Sequence, residues 1–206
     1  MHKKGLSSEE ITRVASEMIA ENGCANFSLR ELAAKLGVRP ASLYNHVSGI
    51  GEINVAVALD ASTQMHHRLE AAVEGLLREQ AFLRGLAEYR AFAAENPELY
   101  KLLYRLAGAN EENAALIRKA ALYSIEPLRR VVKQFELDEA DMIHFMRFLR
   151  STLYGFITLT SEGFLLRGGV PRDESYAFLS RTLLTSLEAL SEKNKAQNAE
   201  KGEEKR

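Results

Sequence analysis

The sequence predicts an all-α protein, and three observations carry that reading. Apolar residues recur at helical spacing along most of the chain. No alternating apolar and polar run bounded by turn residues reaches strand length. Ser-x-x-Glu capping signatures stand ahead of two of the periodic stretches. The expected architecture is a three-helix N-terminal helix-turn-helix domain followed by a larger helical bundle, about nine helices in all. A chain of 206 residues, 46% of them hydrophobic, can bury a sizeable core as one large domain or two smaller ones.

Ser7 and Glu10 form the first capping box, and Ile11, Val14, Ala15, Met18 and Ile19 follow on one face, so the first helix runs to about Asn22. Gly23 suits the left-handed residue that closes it. Ser28 and Glu31 form the second box, opening a short helix that buries Leu32, Ala33 and Leu36 and stops at Gly37. Pro40 stands in the first turn of a third short helix, where its missing N–H is no loss, with Leu43 and Val47 as apolar anchors. Gly49 and Gly51 then break the pattern. Longer helices are expected at about 52–77, 79–95, 97–107, 111–135, 138–166 and 173–191, divided by Asn96-Pro97, Gly108 and Gly168-Gly169-Val170-Pro171. From Glu192 to Arg206 the chain is charged and carries no aliphatic residue larger than alanine, so it is expected to be frayed or disordered. The expected domains are residues 1–50, residues 51–191 and a tail of residues 192–206.

A net charge of −1 excludes a polycation that coats nucleic acid by bulk charge, so any DNA contact must be local. One cysteine, Cys24, excludes an internal disulfide, and no segment reads as a signal peptide, so a cytoplasmic location is expected. The most apolar stretch, Met142 to Leu166, contains Arg147, Arg150 and Glu162, each costly in a bilayer; it reads as a buried helix. His66-His67 has no ligand-spaced Cys or carboxylate and predicts a solvated face, with neither metal nor cofactor.

Two short helices joined by Gly37-Val38-Arg39 have the proportions of a DNA-reading helix-turn-helix, the second helix entering the major groove. From Ser28 to Val47, Arg30, Lys35 and Arg39 face only Glu31, a local excess of positive charge. The candidate DNA-binding set is Ser28, Arg30, Arg39, Pro40, Ala41, Ser42, Tyr44, Asn45 and His46, whose side chains include donors for phosphates and groove edges. Met1-His2-Lys3-Lys4 is a candidate basic arm.

The string FSLRELAAKLGVRPASLYNHV, preceded by ITRVASEMIAENG, resembles the DNA-binding domain of tetracycline-repressor (TetR) family regulators over about the first 55 residues. That resemblance implies a homodimer that reads a palindromic operator in double-stranded DNA and binds a small-molecule effector in its C-terminal bundle. It places Ser28, Arg39, Ser42, Tyr44, Asn45 and His46 on DNA, and Leu29, Ala33, Val38 and Leu43 in the packing. Two positions depart from the pattern: Val47 stands for the usual aromatic, and Ile50 for the usual lysine at the head of the fourth helix. Backbone N–H groups at Gly49 to Glu52 are expected to keep part of that phosphate contact. Further on, YRAFAAENPELYKLLY loosely resembles the family's Pro-centred helix junction, and Tyr154-Gly155 stands where one C-terminal domain type carries Trp-His-Gly.

In the bundle, Tyr89, Phe92, Tyr100, Leu103, Tyr104, Leu122, Ile125, Met146, Leu149 and Phe156 are the candidate ligand-pocket residues. Leu153, Ile157, Phe164, Phe178, Leu179, Leu183 and Leu187 are the candidate dimer interface, a four-helix arrangement of two helices per subunit. His144, Arg147 and Arg150 follow on one broad helix side, a solvated or interface face. The reading is a ligand-responsive repressor. The alternatives are a small-molecule carrier or enzyme built on the bundle, for which no nucleophile, acid pair or metal cluster speaks, and a transcriptional activator.

Overall fold

The computed structural model describes residues 6–105, 111–165 and 168–203. Among them are ten α-helices and no strand: α1 (Ser8–Asn22), α2 (Leu29–Lys35), α3 (Pro40–Leu43), α4 (Ile50–Val73), α5 (Arg78–Glu95), α6 (Pro97–Arg105), α7 (Glu111–Tyr123), α8 (Glu126–Lys133), α9 (Glu139–Ser161) and α10 (Arg172–Glu203), with a 3-10 turn at Cys24–Asn26. Both expected caps hold through the serine side chain: Ser7 Oγ accepts from the Glu10 N–H at 3.2 Å, and Ser28 Oγ from the Glu31 N–H at 3.3 Å. The Met1–Lys4 arm and Gly108 lie outside the described residues.

By its contacts the chain forms two compact units. The first comprises Met1–His67 and Phe92–Ser124, the second Arg68–Ala91 and Ile125–Arg206. The first unit is built around Ile11, Ala15 and Ile19 of α1, Leu32 and Ala33 of α2, Leu43 of α3 and Ile53, Val57 and Ala61 of α4. Leu99 and Leu102 of α6 and Ile117 of α7 belong to the same core. Burial of each such Leu or Ile stabilises the unit by roughly 1.5–3 kcal/mol, which is how helices of seven and four residues persist although they would melt in isolation.

In the second unit, Phe82 of α5 packs its ring against Phe135 and Phe145, at 6.5 and 6.1 Å between centroids. Gly85 lets α5 approach α8, because a Cβ there would stand 2.5 Å from Leu128 Cδ2. Leu149 and Leu153 of α9 and Leu183 and Leu187 of α10 complete the buried set. Tyr176 brings its hydroxyl into this core and donates it to the Leu86 carbonyl at 2.6 Å; burial pushes the phenol well above its ordinary pKa.

Two expectations about helix extent are corrected. The stretch expected as one helix at 111–135 is two, α7 and α8, broken at Ser124-Ile125. Pro127 cannot supply the N–H that would continue the ladder to the Tyr123 carbonyl, and the helix restarts with Pro127 in its first turn. The tail expected to be disordered from residue 192 is helical as far as Glu203. Its anchors are polar. Ser191 Oγ donates to the Phe135 carbonyl at 2.5 Å. The Asn194 side chain accepts from the Asp138 N–H at 2.8 Å and donates to Asp141 Oδ2 at 2.8 Å, while Lys193 Nζ reaches the same carboxylate at 2.9 Å. Lys193 and Asn194 together hold the Asp141 carboxyl below the usual Asp range, and Asp141 raises Lys193 in return.

Candidate nucleic-acid interface

The reading head is residues 28–47. Ser28 ends the extended approach to α2, and its O–H is donated to Glu31 Oε2 at 2.7 Å, so the hydroxyl proton is already engaged within the chain. At the far end of α2 the chain turns through Gly37, with φ +67°; the Gly37 and Val38 N–H groups close the turn on the carbonyls of Ala34 and Ala33 at 3.1 and 3.0 Å. Arg39 takes the N-cap position of α3 without a side-chain cap, and Pro40 opens the helix. Tyr44, Asn45 and His46 follow as a turn, and the His46 and Val47 N–H groups donate to the Leu43 carbonyl at 2.9 and 3.1 Å.

Leu43 is fully buried and Val47 nearly so, which sends everything else on this segment outward. Arg30, Arg39, Pro40, Ala41, Ser42, Tyr44, Asn45 and His46 are all exposed, with Tyr44 at 58%, and Ser28 is half-buried. Neither Arg30 nor Arg39 has a salt-bridge partner among the described residues, whereas Lys35 leans on Glu21 at 3.4 Å. The exposed side chains offer two guanidinium groups, a phenol, an amide and an imidazole, chemically suited to phosphate and groove-edge contacts. Val47 at the departed family position is a core residue, and Ile50 is exposed at 41%.

At the head of α4 the Glu52 side chain folds back on Ser48. Glu52 Oε2 accepts from the Ser48 N–H at 2.6 Å and from the Ser48 hydroxyl at 2.7 Å. Those two hydrogen bonds, the backbone one first, hold the Glu52 carboxyl below its ordinary range. A DNA phosphate approaching Ser48 therefore meets a carboxylate, whereas these two bonds leave the N–H groups of Gly49 to Glu52 unoccupied by Glu52. The signal was present in the sequence as Ser48 and Glu52, but at a spacing of four instead of the familiar three.

The bundle candidates separate by burial and by unit. Phe92, Tyr100, Leu103 and Tyr104 belong to the first unit, where the Tyr100 and Tyr104 rings lie 5.0 Å apart; Tyr89, Ile125, Met146, Leu149 and Phe156 belong to the second, where Phe156 meets Tyr176 at 5.4 Å. Leu122 is corrected: at 58% exposure it points to solvent from α7 and lines no interior. A surface cleft of about 370 Å³ in the second unit is lined by other residues, among them Glu70, Leu76, Pro127 and Arg130.

The dimer candidates need a similar correction. Leu153, Leu183 and Leu187 are buried by their own chain and have no surface to give a partner. Phe164 and Phe178 are exposed at 73% and 68%, and Ile157 and Leu179 are half-buried. Sequence reading missed Ile143, Phe148, Tyr154 and Leu159, which also stand outward on α9 beside exposed His144 and Arg147. Among the described residues no helix is long and apolar enough to cross a membrane, and no three His, Cys, Asp or Glu side chains converge as metal ligands.

Comparison with known proteins bears on this geometry directly. Residues 11–52 match the family model described as bacterial regulatory proteins, tetR family, and residues 82–183 match the tetracyclin repressor-like C-terminal domain. The chain is 29% identical over 184 residues to YobS, an HTH-type transcriptional regulator of Bacillus subtilis, covering 89% of this chain and 93% of that one. An HTH-type transcriptional regulator of Mycobacterium tuberculosis is 29% identical over 160 residues, 77% of this chain and 72% of the relative. Among solved structures, a Rhodococcus protein of unknown function superimposes with a TM-score of 0.75 at 24% identity, covering 90% of this chain and 98% of the other. The TetR-family regulator PfmR of Thermus thermophilus superimposes with a TM-score of 0.60 at 22% identity, over 85% and 97%. The families and both sequence relatives are regulators, which sets aside the enzyme and carrier readings. With both halves matched in order around an exposed helix-turn-helix, the chain belongs to the TetR family of DNA-binding transcriptional regulators.

Proposed function

We propose that the protein is a ligand-responsive repressor that acts as a homodimer on a palindromic operator in the bacterial cytoplasm, where the chromosome is. The observation that carries the proposal is the presence in one chain of two kinds of outward side chain: the polar ones of α3 and the apolar ones of α9 and α10. The first suit DNA. The second, with Phe148 and Leu159 on one side of α9 and Phe178 of α10 in water, suit a second copy, since a two-fold axis pairs such a face with itself. Dimerisation then sets two recognition helices in successive major grooves about 34–36 Å apart.

Tyr44, Asn45 and Ser42 would touch base edges or phosphates, with Arg39, Arg30 and His46 on the backbone. A small apolar molecule taken up by the C-terminal bundle would favour a dimer with a different reader separation and so release the operator, by its differential affinity for the two states. The tyrosines of the bundle and the match to the tetracyclin repressor-like C-terminal domain support that half of the proposal. Selection from a random duplex pool, followed by gel-shift titration at several salt concentrations, tests it. A paired, inverted half-site is expected, with log affinity falling by about 0.9 per phosphate contact for each unit of log salt. Tyr44→Ala with Asn45→Ala should abolish specific binding, and unchanged binding by that variant would overturn the assignment of α3 as the reader.

A further inference from the structure

Three buried polar groups of the first unit lie on α1 and α4; a fourth, Ser124, donates to the Ala121 carbonyl within its own turn. Ser16 of α1 and Ser62 and His66 of α4 are buried in an otherwise apolar core, and each has a partner across a helix–helix contact. Ser62 Oγ donates to the Ala120 carbonyl at 2.6 Å, and His66 Nδ1 is 2.8 Å from the Tyr123 carbonyl with its ring stacked on Tyr123 at 3.9 Å. His66 serves the end of α7, where the Tyr123 carbonyl is left over because Pro127 has no N–H; Ser62 adds a second donor to an Ala120 carbonyl that already accepts from the Ser124 N–H at 2.9 Å. Both bonds end on backbone carbonyls of the last turn of α7.

The third contact has no such duty. Ser16 Oγ donates to Asp60 Oδ2 at 3.0 Å, side chain to side chain, across 44 residues of sequence. Gln64, one turn further along α4, donates Nε2 to the same oxygen at 2.7 Å and steadies the carboxylate. Asp60 is the only Asp, Glu, Lys or Arg between Glu52 and Arg68. Apolar side chains such as Val57, Ala58 and Ala61 tolerate small slides of one helix along another, whereas a hydrogen bond is spent within about an ångström. The α3 segment hangs between these two helices: Leu43 and Val47 are set in the α1–α4 core, and only Tyr44 to Gly49 separate α3 from α4.

We infer that Asp60 is a positioning residue for DNA reading: its hydrogen bond from Ser16 fixes the lengthwise register of α4 on α1 and thereby the aim of α3. The inference rests on the dimeric operator reading above for one of its measurements. Without the latch the apolar core still holds the helices together, but the register loosens, so what is lost is discrimination between operator geometries, with the recognition of bases within a half-site retained.

The experiment uses the full chain and the duplex that wild type selects, together with duplexes whose half-sites are moved apart or together by one base pair. Affinity, half-site preference and melting temperature are measured for Asp60→Ala, Asp60→Asn and Ser16→Ala. Asp60→Ala and Ser16→Ala should lose about tenfold on the selected spacing, the worth of roughly one hydrogen bond. They should also bind the three spacings nearly equally and keep the half-site preference. Asp60→Asn, which retains an acceptor for the Ser16 hydroxyl, should recover most of the discrimination. An equal loss at every spacing that follows the melting temperature, or an Asp60→Asn as poor as Asp60→Ala, overturns the inference. If Asp60→Ala does not fold, Ser16→Ala carries the comparison, since it removes only the donor. If wild type selects a lone half-site, the dimer reading fails separately. The latch is then judged by the ratio of half-site to random-duplex affinity, which Asp60→Ala must lower and Asp60→Asn restore for the inference to stand.

Discussion

The reading head of residues 28–47 and the α9–α10 pair solve the same folding problem with opposite surfaces. In the reading head, two helices of seven and four residues give Leu32, Ala33, Leu43 and Val47 to the core and turn Arg39, Ser42, Tyr44, Asn45 and His46 outward. In α9 and α10, helices of 23 and 32 residues give Phe145, Leu149, Leu153, Leu183 and Leu187 to the core and still leave Ile143, Phe148, Tyr154, Leu159 and Phe178 in solvent. Polarity on the outer face of the first costs nothing in folding. Apolarity on the outer face of the second gains nothing from water. Under the proposed function the polar outer residues meet DNA and the apolar ones meet a second copy of the chain.

The strongest way to break that contrast is through the core of the reading head. Leu43 is the one buried residue of α3, so Leu43→Ala should cost about 2–5 kcal/mol, lower the first denaturation transition of the chain and abolish specific DNA binding. Phe148→Glu with Phe178→Glu should instead leave the helical circular dichroism intact. It should weaken self-association by about 2 kcal/mol or more, read by sedimentation equilibrium; an unaltered dimer constant would detach these apolar residues from dimerisation. Next in size is the cap of α2. Ser28→Ala should remove about 1 kcal/mol of stability in urea titration, a loss that a helix of seven residues feels in full.

A smaller effect distinguishes the far end of α10. The Asp141 carboxyl, lowered by Lys193 and Asn194, contributes stability that is present above the ordinary Asp range and is lost as pH falls through its depressed value. Lys193, raised by Asp141, contributes below its ordinary range near pH 10 and loses that contribution at higher pH. Denaturant titrations between pH 3 and 6 should therefore show an acid-side decline that Asp141→Asn flattens, with the reading-head transition indifferent to the change.

How much was legible in the sequence follows from how local each feature is. The helix-turn-helix was legible because capping, Gly37 and Pro40 all act within four residues, and the exposed set around α3 is what those rules imply. The extension of α10 was not, because Ser191 and Asn194 anchor it by hydrogen bonds to Phe135 and Asp138, and a search for apolar repeats passes over polar anchors. Periodicity found the apolar residues of α9 and α10 without telling which face meets the chain's own core; Leu183 and Phe178 are equally apolar and end on opposite sides. Pro127 was visible as a residue, but the break it makes between α7 and α8 needed the orphaned Tyr123 carbonyl to be seen with its His66 partner. The Glu52 carboxylate at the head of α4 escaped because it caps Ser48 from a turn away.

The single buried anchor of α3 has an evolutionary consequence. A helix held by Leu43 alone, with its cap supplied by backbone and its neighbours by α2 and α4, leaves Ala41, Ser42, Tyr44 and Asn45 without structural obligations. Those four positions can be rewritten together without a compensating change anywhere in the interior. If those positions read the operator as proposed, descendants of this chain are free to acquire new target genes at the rate of surface mutation, while the protein that carries the new address keeps its old melting point.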